Sequence, residues 1–183
     1  MKRMLLVVLA AGILAVVPAP TLSAQGLRWG VSGGLLMPMG DYNDLDKPGW
    51  IVGGGATYWL PGGQIGVRGD FSYGQTKHDG GLTGDTKIAG GMASLVYGFG
   101  PSAASARPFV TGGLGFYNVK FEFTGTGASS TSETKVAFGF GAGVRFKLGT
   151  GGTGVTVATR FTSVSLDPAL TFLPITVGVN FGK

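Results

Sequence analysis

The chain has 183 residues, among them 36 Gly, 9 Pro and no Cys, and its 14 Lys and Arg against 9 Asp and Glu give a formal charge of +5. Glycine at this density excludes a helical bundle, because each Gly costs a helix about 1 kcal/mol relative to Ala. The 44% hydrophobic content, with 12 Phe, 5 Tyr and 3 Trp, excludes disorder and leaves a β-rich chain that needs many positions without side chains.

Met1-Lys2-Arg3 is a basic start, Met4 to Val17 is an apolar run, and Leu22-Ser23-Ala24 supplies small residues before Gln25. This is the pattern of a cleaved secretory signal peptide over residues 1–24. The apolar run falls short of the ~20 residues of a spanning helix. The expected mature domain is 25–183. Its charge drops by the two basic residues of the leader and is spread thinly, which gives no case for nucleic acid as a partner. The lack of Cys is compatible with an oxidising compartment.

Eight strands are expected in the mature chain. The first two, Leu27–Met37 and Trp50–Leu60, are blurred by glycine. Gln64–Tyr73 alternates clearly, with Ile65, Val67, Phe71 and Tyr73 against Gly66, Arg68, Asp70 and Ser72. Lys87–Phe99 and Arg107–Phe123 follow; in the latter Tyr117, Val119, Phe121 and Phe123 oppose Asn118, Lys120 and Glu122. Val136–Leu148 sets Val136, Phe138, Phe140, Val144 and Phe146 against Gly139, Gly141, Gly143, Arg145 and Lys147. Val155–Ser163 and Leu173–Phe181 complete the set; period-two alternation of this kind marks half-buried strands. No segment carries a helical period.

The expected connections alternate in length. Gly40–Pro48, Gln75–Asp85, Thr124–Ser132 and Ser165–Leu170 are the longer ones, and Pro61–Gly63, Gly100–Ala106 and Gly149–Gly152 the shorter. An even number of strands with this rhythm is the pattern of a bacterial outer-membrane barrel, with short periplasmic turns and longer outer loops. The fold class expected is all-β: a closed, antiparallel, up-and-down transmembrane β-barrel of about eight strands. Charge and glycine share one face, so that face is assigned to the lumen, where glycine makes room for long charged side chains. A lipid-facing Arg or Lys at mid-membrane would cost about 2–4 kcal/mol.

The chain resembles the small outer-membrane β-barrels of the OmpA-like kind, a porin-family architecture. The resemblance rests on Gly30-Val-Ser-Gly-Gly-Leu-Leu-Met-Pro-Met-Gly-Asp41, Arg107-Pro-Phe-Val-Thr-Gly-Gly-Leu-Gly-Phe-Tyr117 and the closing Ile175-Thr-Val-Gly-Val-Asn-Phe181. It implies the cell outer membrane as location, outer-membrane lipid and lipopolysaccharide as surroundings, and the barrel-assembly machinery as a partner in biogenesis. Ile175, Val177, Val179 and Phe181 are similar to the terminal strand that machinery reads, although Gly182 and Lys183 follow the aromatic residue. The tethering role of longer OmpA proteins does not carry over.

No catalytic, cofactor or metal site is expected. The single His, His78, falls in an expected outer loop, His78-Asp79-Gly80, as a solvated turn. Asp41, Asn43, Asp44 and Asp46 lack the spacing of a calcium loop and suit turns instead. Arg68, Asp70, Lys120, Glu122, Arg145, Lys147 and Arg160 are assigned to a lumen charge network, since buried charge must be paired. Five cations against two acids leave a weakly anion-selective pore as the alternative to a plug. Trp29, Trp50, Trp59, Tyr73 and Tyr97 are assigned to interfacial girdles. The expected role is structural or surface-facing, including adhesion to an unknown extracellular ligand of the outer loops.

Overall fold

Alternation with period two runs through nearly the whole of the described chain and produces eight strands. The computed structural model describes residues 26–79, 83–124, 129–149 and 151–182; the expected leader lies outside them. The strands are β1 (Leu27–Met39), β2 (Asp46–Trp59), β3 (Ile65–His78), β4 (Gly84–Gly98), β5 (Ala106–Phe123), β6 (Ser129–Lys147), β7 (Gly154–Val164) and β8 (Leu170–Phe181). Each pairs antiparallel with the next, and β8 pairs with β1 to close the barrel. Closure leaves no sheet edge to lipid, which a membrane requires of strands.

The start of β1 and the end of β8 lie at one end of the barrel, here called the terminal end, with the turns that join β2 to β3, β4 to β5 and β6 to β7. The opposite, loop end carries the segments 40–45 and 165–169, the end of β3 with the start of β4, and the end of β5 with the start of β6. The expected contrast of long and short connections is therefore corrected. Gln75–His78 belongs to β3, Gly84 and Asp85 to β4, and Ser129–Ser132 to β6. Polar sequence had marked them as loop, yet they continue the ladder beyond the apolar band. The rim is consequently slanted: β5 and β6 have 18 and 19 residues, β7 and β8 have 11 and 12.

A one-turn helix, α1 (Asp41–Leu45), sits at the loop end and has no counterpart in the sequence periods. Gly40 turns the chain into it with φ 59°, a left-handed conformation that favours glycine. Tyr42 of α1 is buried, so α1 covers part of the lumen mouth.

The outward face is apolar along most of its height. On β6 it runs from Phe146 through Phe140 and Phe138 to Val136, roughly 33 Å of strand, or about 25 Å when tilted by about 40°. Leu114 and Phe116 continue the band on β5, each about two-thirds exposed to the surroundings.

Inward glycines give space to lumen side chains. A Cβ at Gly55 would lie 2.7 Å from Asp70 Cβ, at Gly90 2.5 Å from the Tyr117 ring, and at Gly143 2.7 Å from Phe109 Cζ. Real side chains do not approach so closely, so these strands accept no larger residue there without displacement of a neighbour.

One strand departs from the expected facing. In β5, Tyr117 and Val119 point inward and are almost fully buried. Lys120 and Glu122 point outward, where Glu122 pairs with Lys120 at 2.5 Å and with Lys87 of β4. They are not part of the lumen network. The reason is depth: past Phe116 the strand leaves the apolar band, its outer face meets water, and its inner face meets an apolar filling. Hydrophobic alternation inverts there without a break in register.

Candidate functional site

The lumen divides into three levels. At the loop end it is filled by buried apolar side chains, among them Leu36, Ile88, Val119, Val164 and Phe172. Phe172 meets the Tyr117 ring edge-on at 5.8 Å. Within this filling lies a polar chain that no sequence pattern signalled. Tyr42 OH and Thr76 Oγ1 are 2.5 Å apart, Thr76 Oγ1 donates to Asp46 Oδ2 at 2.5 Å, and His78 Nδ1 is 2.5 Å from Asp46 Oδ1. The expected solvated turn at His78 is thus corrected. His78 closes β3 on its inner face, 3% exposed at its side chain, and stacks on Phe123 at 4.9 Å. Burial, the largest cause, pushes the Tyr42 hydroxyl above its ordinary pKa. Asp46 is turned inward by β2, whereas Asp41, Asn43 and Asp44 stay exposed on α1. Among the described residues no three His, Asp or Glu side chains converge as metal ligands.

The middle level is ionic. Arg160 of β7 grips Asp70 of β3 with both Nη atoms, at 3.0 and 2.9 Å, and its Nη2 also lies 3.4 Å from Tyr117 OH. Arg68 Nε adds a third contact to Asp70 at 3.3 Å. A bidentate pair of this kind is the strong form of charge-assisted hydrogen bonding. Three of the seven residues assigned to the lumen network meet here.

The terminal level is cationic. Arg145 Nε donates to Asn180 Oδ1 at 2.6 Å, and Asn180 Nδ2 in turn donates to Thr156 Oγ1 at 2.6 Å. Arg28 and Arg107, which no sequence period marks, join it. Both lie against the Trp59 ring, at 5.9 and 4.4 Å from its centroid. Trp59 therefore stands at the lumen mouth and not in an outer girdle. Its position at the end of an inward-facing row of β2 put it within reach of arginines that need an aromatic face. Lys147 is on the lumen face of β6 at the same mouth. A cavity of about 160 Å³ occupies the middle and terminal levels.

The other four aromatics assigned to girdles, Trp29, Trp50, Tyr73 and Tyr97, lie on the outer surface. Trp29 packs on Phe181 at 4.8 Å and Tyr97 on Phe99 at 5.0 Å, both at the terminal end. Trp50 and Tyr73 meet at 5.6 Å toward the loop end. Ile175, Val177 and Val179 share the outer face of β8 with Phe181.

Neisserial surface protein A shares this fold with a TM-score of 0.67 at 15% identity, over 86% of this chain and 97% of that one. Ail, the attachment invasion locus protein of Yersinia pestis, solved with the heparin analogue sucrose octasulfate, gives 0.59 at 20% identity, over 85% and 99%. The N-terminal β-barrel domain of Pseudomonas aeruginosa OprF gives 0.53 at 17% identity, over 86% and 98%. No curated protein sequence matches the chain. The family model of the outer membrane protein beta-barrel domain matches residues 7–181. A closed eight-stranded barrel with an apolar outer band and a charged lumen, matched over nearly its whole length, belongs to the outer membrane protein β-barrel family.

Proposed function

We propose that this protein is a sealed outer-membrane barrel that acts through its loop-end surface, in envelope integrity or adhesion, and conducts no solute. One observation carries the reading: the loop-end lumen is packed shut by side chains such as Leu36, Tyr42 and Phe172, each at most 3% exposed. Eight strands enclose a lumen just wide enough for side chains to fill. The Asp46–His78 pair belongs to this filling, because neither group reaches solvent, and we assign it no catalytic part.

The surface that remains for partners is the slanted rim. Above Phe116 and Val136 the outer faces of β4, β5 and β6 carry Asp85, Lys87, Lys120, Glu122 and a Ser/Thr-rich row. Asn118 Nδ2 ties that row together by donating to Ser132 Oγ and Thr134 Oγ1, both at 2.9 Å. These charges begin where the apolar band ends, at the level of lipopolysaccharide headgroups. Names such as surface protein and attachment protein among the structural neighbours agree with a surface role. Residues 1–24 would direct export, and the outer row of β8 ending at Phe181 would be read during assembly.

A second reading, a narrow anion-selective pore, is favoured by the five arginines around the cavity. Planar-bilayer recording separates the two. The sealed barrel gives no steady conductance; a steady current altered by Arg145→Ala would establish the pore.

A further inference from the structure

The terminal half of the lumen holds more positive charge than its own acids balance. Its cavity is lined by Arg28, Arg68, Arg107, Arg145 and Arg160, with Asp70 as the one carboxylate. Asp70 is already engaged by Arg160 and Arg68. Arg28, Arg107 and Arg145 therefore share the terminal mouth with no second carboxylate among the lining residues.

Arg107 shows the imbalance most plainly. It is 3% exposed, and its Nη2 donates to Gly63 O at 2.5 Å and Gly98 O at 3.3 Å. Its Nε and Nη1 are buried with no protein acceptor, and so are Nε and Nη1 of Arg28. Guanidinium keeps its charge at neutral pH and presents its N–H groups as a fixed fork suited to phosphate. Buried cationic donors without acceptors are unfavourable, and an oxyanion in the adjoining cavity supplies the missing countercharge.

The pocket is shaped for these side chains. A Cβ at Gly98 would lie 2.5 Å from Arg107 Nη2, and one at Gly154 2.9 Å from Arg145 Nε. Asn180, the cross-strand partner of Gly154, accepts from Arg145 Nε. At about 160 Å³ the cavity has room on the order of five waters, at ~30 Å³ each, which suffices for a phosphate group.

We propose that the terminal half of the lumen is a binding site for a phosphate-type oxyanion, drawn into the cavity by the uncompensated guanidinium charges of Arg28, Arg107 and Arg145. The proposed site holds whether or not the lumen conducts. Two sources share this chemistry, a small phosphate in solution and the phosphate of an anionic lipid.

The test is Arg Nε–H nuclear magnetic resonance of the full barrel in phosphatidylcholine nanodiscs, titrated with inorganic phosphate at constant ionic strength. A second arm uses phosphatidylglycerol nanodiscs without phosphate. Saturable shifts of Arg28 and Arg107 are expected in the first arm. They should weaken about tenfold or more in Arg107→Gln, as loss of a charge-assisted hydrogen bond implies, and persist in Lys135→Gln at the opposite rim. Should Arg107→Gln fail to fold, Arg28→Gln carries the same comparison. Shifts confined to the second arm identify the lipid as the source. No shift in either arm, or shifts unaffected by both arginine variants, would overturn the site.

Discussion

The two halves of the lumen solve the same problem in opposite ways. Near the loop end the barrel is filled like the core of a soluble protein, with Phe172, Tyr117 and Leu36 buried and a short polar chain satisfied within them. Near the terminal end it keeps a cavity and surrounds it with arginines. The difference teaches where charge can live in a barrel this narrow. Asp70 and Arg160 sit at the border and use each other. Below them, arginines without acids rely on backbone carbonyls, Asn180 and the Trp59 ring.

If the loop-end half is a packed core, shortening a side chain there should have the largest effect. Phe172→Ala is expected to lower unfolding free energy by about 3–5 kcal/mol, the range for buried Phe, read by urea titration of heat-modifiable gel migration. A loss no greater than that of a surface substitution would mean the filling is loose. At the border, Asp70→Asn strands Arg160 and Arg68 and should cost about 3 kcal/mol, the lower end for a broken buried pair, because Arg68 retains partial solvent access. An unchanged midpoint in the same assay would show that water already neutralises them.

Glycine offers a finer contrast. Gly90→Ala drives a methyl into Phe116 O and the Tyr117 ring, and overpacking of that kind costs about 1–3 kcal/mol. Gly69→Ala on β3 meets nothing within 4 Å and should be neutral or stabilise by about 0.4–1 kcal/mol. Equal effects would break the claim that inward glycines exist for their neighbours' volume. The smallest effect is expected outside: Lys120→Gln, at an exposed pair, should change stability by less than about 1 kcal/mol, and any change should shrink with added salt.

These contrasts also explain what was legible in the sequence. Eight strands and their closure followed from period-two alternation, because inside and outside demand different residues at every step. Arg68, Asp70 and Arg160 were legible as lumen residues because glycines share their face. Lys120 and Glu122 were misplaced because the rule equating apolar with lipid-facing holds only within the membrane band. Adjacent Phe116 and Tyr117, one outward and one inward, are the trace of that inversion in the sequence. His78 and Asp46 were hidden for a different reason: 32 residues separate them, and they become neighbours only through the β2–β3 pairing, in which the bulge between Lys47 and Trp50 shifts the facing of β2. Arg28 and Arg107 were passed over because each stands at the start of a strand that glycine blurs, where alternation gives little sign of facing.

We propose that the lumen is open to water in its terminal half and sealed in its loop-end half. The chain has no Cys, so single cysteines report accessibility directly. Ser32→Cys places a thiol on the cavity wall, and Thr86→Cys places one at a fully buried position of the loop-end filling. Labelling of the folded barrel with a small anionic thiol reagent is predicted to modify Ser32→Cys rapidly and leave Thr86→Cys unmodified until unfolding. Comparable rates at both positions would contradict the account.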